Sequence, residues 1–237
     1  MPQLQQAMVR NRLLRAMAPE DFARLQPHLE FAAVQIREPM VLPDRPVEAL
    51  FFVESGMVSV CTAHEDTQIE VGLIGREGLV GVSPVLLCVD RTPHLHFVQI
   101  AGEVLGIGRD AFCDAVARSE SLRRLLLRYI HTLMVQAAQT AHAHAALGLE
   151  GRLARWLLMC HDRVDGDELT LTHEFLSMML GVQRAGVTLT IQNLEGAGRI
   201  RAKRRRIEVL DRDKLKALTN GSYGVPEAEY DRLIGSA

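Results

Sequence analysis

Six of the eight residues from Arg199 to Arg206 (RIRAKRRR) are cationic. Guanidinium and ammonium groups packed that densely suit a polyanion, above all the phosphates of a nucleic acid. The rest of the chain does not share the bias. Residues 182–216 carry a net charge of +6, residues 1–181 a net −6 and residues 217–237 a net −2. Other reactive residue types are sparse or badly spaced. Cys61, Cys88, Cys113 and Cys160 stand 27, 25 and 47 residues apart with no C-x-x-C pair, which predicts neither a zinc ribbon nor a clustered iron–sulfur centre. His94-x-His96 would place two imidazoles on one face of a strand, a plausible metal or haem geometry, but two exposed or hydrogen-bonded histidines are the preferred reading. His142 and His144 read as polar helix residues. No G-x-S-x-G, Walker loop or H-E-x-x-H occurs, so the chain is not expected to be an enzyme, and no metal site is expected.

A helix pair lies just before the cationic run. In THEFLSMMLGVQRAGVTLTIQNLE (Thr172–Glu195), Thr172 is a good N-cap for a helix whose apolar face is Phe175, Leu176 and Met179. Leu180-Gly181-Val182 makes a tight turn, and a second helix starts near Gln183 with Val187, Ile191 and Leu194 facing inward. Two helices around a short glycine turn form a helix-turn-helix. Such a second helix lies in the major groove with its N-terminal side chains on base edges, here Gln183, Arg184 and Thr188. Gly196-Ala197-Gly198 ends it. Ile200–Ala202 and Ile207–Leu210 then form a β wing whose tip, Lys203–Arg206, has no Gly, Asn or Asp and is expected to be a longer loop. Arg201, Lys203, Arg204, Arg205 and Arg206 would grip phosphates.

The chain has 237 residues, 48% apolar and 24% charged, which suits a folded protein of one or two domains. No apolar run reaches the ~18–20 residues of a membrane helix, and MPQLQQAMVRNR has no apolar core of a signal peptide. The expected location is cytoplasmic, with reduced cysteines and no membrane partner. Residues up to about 28 read as short helices. Strands are predicted at Leu29–Ile36, Ala49–Val53, Met57–Thr62, Ile69–Ile74, Leu95–Ile100 and Glu103–Ile107, with Glu65-Asp66 among the turn signals, giving an antiparallel barrel or jelly roll. Short helices are predicted at Leu79–Val82 and Asp110–Val116. From Ser121 to about Leu147 the chain has no Gly or Pro, predicting a helix about 40 Å long. Leu122, Leu126, Tyr129, Leu133, Gln136 and Thr140 repeat along it at heptad-like spacing. That seam could pack on its own barrel or on a second copy of itself; a homodimer is the preferred reading, with Gln136 and Thr140 setting register. Glu150–Val164 reads as an amphipathic helix, Glu168–Leu171 as a short strand, and GVPEAEYDRL (Gly224–Leu233) as a helix docked on the winged domain.

Taken together, GLVGVSPVLL (Gly78–Leu87), the helix from Ser121 and Leu171–Ile200 make the chain similar to the Crp–Fnr superfamily of bacterial transcription regulators. The resemblance implies an α+β fold in four parts. These are a cyclic-nucleotide-binding-like β-roll (1–118), a dimerisation helix (119–148), a winged helix-turn-helix (149–220) and a tail (221–237). It implies a homodimer on double-stranded, near-palindromic DNA, with RNA polymerase as a further partner. Arg184 matches the family arginine that reads guanine, Gln183 is a second base reader, and Thr172 matches a phosphate-contacting cap. Ala185 and Leu189 replace base-reading polar residues, so the operator should differ from the best-known family sites. The effector pocket would involve Gly81, Val82, Arg91 and Thr92. Val82 stands where cyclic-AMP-binding members have the ribose-holding Glu, and Arg91 is one position early for the phosphate, so cyclic AMP is not expected. Pro2 with His94 and His96 faintly resembles the haem-binding members, but no cofactor is expected. A rival reading is a regulatory ligand-binding or haem/metal-sensing protein that acts mainly through protein partners, its winged helix degenerate.

Overall fold

The computed structural model describes residues 4–64 and 67–235; Pro2 and the Glu65-Asp66 turn lie outside them. Two short helices, α1 (Arg12–Arg15) and α2 (Pro19–Leu25), precede the sheets. The roll is built from β1 (Glu30–Val34), β2 (Pro39–Val41), β3 (Ala49–Val53), β4 (Met57–His64), β5 (Thr67–Ile74), β6 (Leu79–Val80), β7 (His94–Ile100) and β8 (Gly102–Gly108). They form two four-stranded antiparallel sheets, ordered β1-β8-β3-β6 and β2-β7-β4-β5. Leu79–Val80 is a strand paired with Phe51 and Phe52 rather than the expected helix. The helix there is α3 (Val82–Leu86), which starts only after Gly81 at φ +82°, a conformation open to glycine and strained for a residue with a Cβ. β2 is three residues long and opens on Pro39, a turn signal in the sequence, so it leaves no strand signal.

α4 (Arg109–Ala117) leads into the long helix α5 (Glu120–Ala146). The predicted seam is its inner face. Leu122 and Leu126 are fully buried against the same chain. Tyr129 Oη accepts from the Leu79 amide at 3.0 Å. Gln136 Oε1 accepts from the Leu73 N–H at 2.6 Å, and its Nε2 donates to the Leu73 carbonyl at 3.1 Å. Thr140 donates to Gln136 O at 2.9 Å and accepts from Arg155 at 3.3 Å. This corrects the homodimer assignment of the seam. The physical reason is that β5 is an edge strand whose outward backbone groups need partners, and the Gln136 amide supplies them.

α6 (Leu149–His161), β9 (Glu168–Leu169), α7 (His173–Leu180), α8 (Arg184–Gly196), β10 (Ile200–Lys203), β11 (Arg206–Val209) and α9 (Arg212–Leu218) form the winged unit, its sheet ordered β10-β11-β9. The closing helix α10 (Val225–Leu233) packs on α5, not on the winged unit as expected: Tyr230 Oη donates to Glu77 O at 2.8 Å and His131 meets Glu229 at 3.2 Å. Two large cores result. One fills the roll beneath α5. The other joins Met57, Cys61, Leu73 and Phe97 of the roll to the inner faces of α6, α7 and α8.

Candidate nucleic-acid interface and effector cavity

Thr172 caps α7, its Oγ1 accepting from the Phe175 N–H at 3.1 Å. Gly181 closes α7 at φ +62°, and the amides of Gly181 and Val182 bond back to Met178 O and Ser177 O. α8 begins at once, with Gln183 at its N-cap making no side-chain cap. Val187, Thr190, Ile191 and Leu194 are buried, so rotation of the helix turns Arg184, Ala185, Leu189, Gln192 and Asn193 outward. Leu189 is 60% exposed. Arg184 has no ion-pair partner among the described residues. Thr188 is less free: its hydroxyl donates to Arg184 O at 3.0 Å and lies 3.0 Å from His173 Nδ1. Gln192 and Asn193 were not singled out from sequence, although their spacing from Ala185 and Leu189 at helical period places them on the same face.

The wing is a tight hairpin, not the longer loop expected. Lys203 pairs with Arg206, leaving only Arg204 and Arg205 at the tip. Arg205 takes the left-handed conformation (φ +61°) that Gly or Asn would hold more easily, and its carbonyl accepts from the Leu171 amide at 3.0 Å. The cations divide. Arg201 is paired with Glu208 at 2.9 Å, Lys203 with the same carboxylate at 3.8 Å, and Arg206 with Glu168 at 3.1 Å. Arg204 and Arg205 have no ion-pair partner among the described residues.

The winged unit is seated on the roll. Phe175 of α7 meets Phe97 of β7 edge to face at 6.2 Å. Trp156 Nε1 of α6 donates to Glu70 Oε1 of β5 at 2.6 Å, and Arg163 Nε donates to Glu77 at 2.7 Å. Burial pushes the Glu70 carboxyl up to about 8, against the opposing hydrogen bonds from Ser59 and Trp156 and the charges of Arg163 and Arg155.

A cavity of about 270 Å³ lies between the roll and α5. Gly81, Val82 and Thr92 line it, as the resemblance implied; Arg91 does not, and is held by Asp90 at 2.9 Å on the surface. His94 and His96 both face it, as do Ile130, Leu133, Met134 and Gln136 of α5. Burial, reinforced by His94, lowers His96 to about 4. Among the described residues no three His, Cys, Asp or Glu converge to hold a metal. Cys61 and Cys160 are buried with thiol pKa values raised by burial, whereas Cys88 and Cys113 are exposed. No helix among the described residues is long and apolar enough to cross a membrane.

Residues 151–218 match the family model of the Crp-like helix-turn-helix domain. A search among curated proteins gives no match. Among solved structures, FixK2 of Bradyrhizobium japonicum is 16% identical with a TM-score of 0.70, the match covering 80% of this chain and 96% of that one. The c-di-GMP-responsive global regulator CLP of Xanthomonas campestris is 17% identical with a TM-score of 0.65, covering 81% and 99%. A CRP-family transcriptional regulator of Thermus thermophilus is 18% identical with a TM-score of 0.67, covering 82% and 98%. At these identities the structural likeness establishes the fold. Residues 151–218 therefore carry a Crp-like helix-turn-helix domain, and most of the chain's length shares the fold of these regulators.

Proposed function

We propose that the protein is a homodimeric, sequence-specific DNA-binding transcription regulator whose roll senses a small molecule. The observation that carries this reading is the outward face of α8, where Arg184 is exposed, together with a wing tip of two arginines, none of the three having an ion-pair partner among the described residues. Arg184 would read guanine through O6 and N7, with Gln183 beside it. Leu189 and Ala185 would meet thymine methyls. Arg204 and Arg205, with the Thr172 hydroxyl, would hold phosphates; Arg201, Lys203 and Arg206 would first have to leave their carboxylates.

The second copy would dock on the outer face of α5. Leu127 (47% exposed), His131, Met134 (64% exposed), Ala138, Ala141 and Ala145 recur there at 4-3-4-3-4, a second heptad-like line rotated away from the buried one. The alanines allow close approach of two helices. Two recognition helices so joined would enter successive major grooves about 34 Å apart. Regulation would be a population shift: one wall of the cavity is α5, so an occupied cavity favours one placement of the helices over another.

Selection of duplexes from a random pool, with Arg184→Ala in parallel, tests this. An enriched near-palindrome blurred at one base pair in each half-site is expected in the variant. Equal enrichment by both proteins would remove Arg184 from base reading. Salt-sensitive binding with no enriched sequence would favour the rival reading, in which the exposed Leu189 face meets a protein.

A further inference from the structure

The cavity beneath α5 has a chemistry of its own. Its walls are mainly aliphatic, with Ser83 and Thr92 adding hydroxyls, and neither Lys, Arg, Asp nor Glu is among its lining residues. Arg91, next in sequence to the lining Thr92, is outside the lining and engaged by Asp90. Two polar atoms are left over. Nδ1 of His94 and Nδ1 of His96 are both buried, and neither has a hydrogen-bond partner among the described residues. His96 itself is 92% buried in the fold. The side-chain amide in the lining, Gln136, is already committed to both backbone groups of Leu73. An unpaired buried nitrogen is unfavourable, and a ligand group reaching it would recover that loss. A hydroxyl does so whichever ring nitrogen carries the proton, because it both donates and accepts.

We propose that this cavity binds an uncharged, mainly aliphatic small molecule through one hydroxyl group, which hydrogen-bonds to an imidazole nitrogen of His94 or His96, the two rings that line it. The inference rests on the reading of the roll as a sensor and gives that sensor a ligand class. The aliphatic body lies against Val82, Ile130 and Leu133. Its volume, near the lower end of the ~300–1,000 Å³ of ligand pockets, admits a chain or ring of moderate size rather than a dinucleotide. Met134 lines the cavity and also stands on the outer line of α5, so occupancy is felt at the proposed contact between copies.

Calorimetric titration of the full chain with 1-octanol, octanoate and cyclic AMP at pH 8 tests the class. One 1-octanol per chain is expected, with octanoate and cyclic AMP at least ~10-fold weaker, since a charge buried without a partner is disfavoured. His94→Leu/His96→Leu should keep the cavity but bind 1-octanol at least ~10-fold more weakly. Ala137→Phe, on the exposed rim, should block binding without disturbing either histidine. Cyclic AMP or octanoate binding more tightly than 1-octanol, 1-octanol failing to bind, or the histidine variant binding it unchanged would each overturn the ligand class. If 1-octanol binds as expected but leaves affinity for the selected duplex unaltered, the ligand class stands and the sensor reading falls.

Discussion

The indole N–H of Trp156 in α6 donates to the Glu70 carboxyl of β5 at 2.6 Å, tying the winged unit to the roll through a side chain buried on all sides. The hydrogens around it can be counted. Ser59 Oγ lies 2.8 Å from Glu70 Oε2 and 2.6 Å from Gln99 Oε1, while the Gln99 amide nitrogen faces Cys160 Sγ at 3.7 Å. One hydroxyl hydrogen cannot serve both oxygens. The network balances when Glu70 carries a proton and donates it to Ser59, which then donates to Gln99. This agrees with a carboxyl raised by burial.

A pH dependence follows. The Glu70 carboxyl titrates near 8 in the fold and near its ordinary 4.5 when unfolded, so the folded state holds the extra proton between those values. The contribution to stability is complete below about 4.5 and is lost as pH rises through about 8, by at most about 1.4 kcal/mol per pH unit. Urea unfolding between pH 7 and 8.5, above the histidine range, should show the decline. Glu70→Gln keeps an acceptor for Trp156 and a donor for Ser59 and should flatten it. Parallel slopes in the two proteins would mean that Glu70 is ionised in the fold.

Gln136 gives a second prediction. Gln136→Ala removes both partners of Leu73 on the edge of β5, leaving a buried N–H and C=O unpaired. At about 1–3 kcal/mol for each such group, a loss of roughly 2–6 kcal/mol in urea unfolding is expected, with the m-value unchanged. A loss below about 0.5 kcal/mol would show that water or a shifted α5 replaces the amide.

The helix-turn-helix was legible because each part has a local cause: Thr172 as cap, Gly181 at positive φ, and Val187, Ile191 and Leu194 at helical spacing. Most roll strands were legible for the same reason. What could not be read was which body each face meets. The heptad-like line Leu122–Thr140 is the same pattern whether its partner is another helix or a sheet edge, and only the unpaired backbone of Leu73 decides it. The tail helix was equally undirected, since Tyr230 needed an acceptor and found Glu77 O far away in sequence. The wing tip was misjudged because hairpin preferences count residue types, and Arg205 holds the left-handed position without being one of them.

That position makes a third prediction. Arg204→Ala/Arg205→Ala should remove up to four phosphate contacts per dimer and make the slope of log K against log[salt] shallower by about 3 to 4. Arg205→Gly separates charge from conformation. Relief at φ +61° should raise stability by a few tenths to about 1 kcal/mol while the salt slope still becomes shallower, by about half as much. A salt slope unchanged in both variants would place the wing away from the phosphates.

The two lines of α5 make opposite predictions, so substitutions on each separate them. Met134 and Ala141 are exposed, and Met134→Glu or Ala141→Glu should leave the single chain folded. Across a two-fold helix contact, each would bring two carboxylates together, so sedimentation should show monomer. DNA affinity should fall with it, because one recognition helix then reads one half-site alone. Leu126 is fully buried against its own roll, and Leu126→Ala should instead cost about 2–5 kcal/mol of stability, with the protein still dimeric below its melting temperature. If Leu126→Ala dissociates a folded dimer and Met134→Glu does not, α5 meets its second copy through the line of Leu122 and Leu126, and the roll must release that face when two chains join.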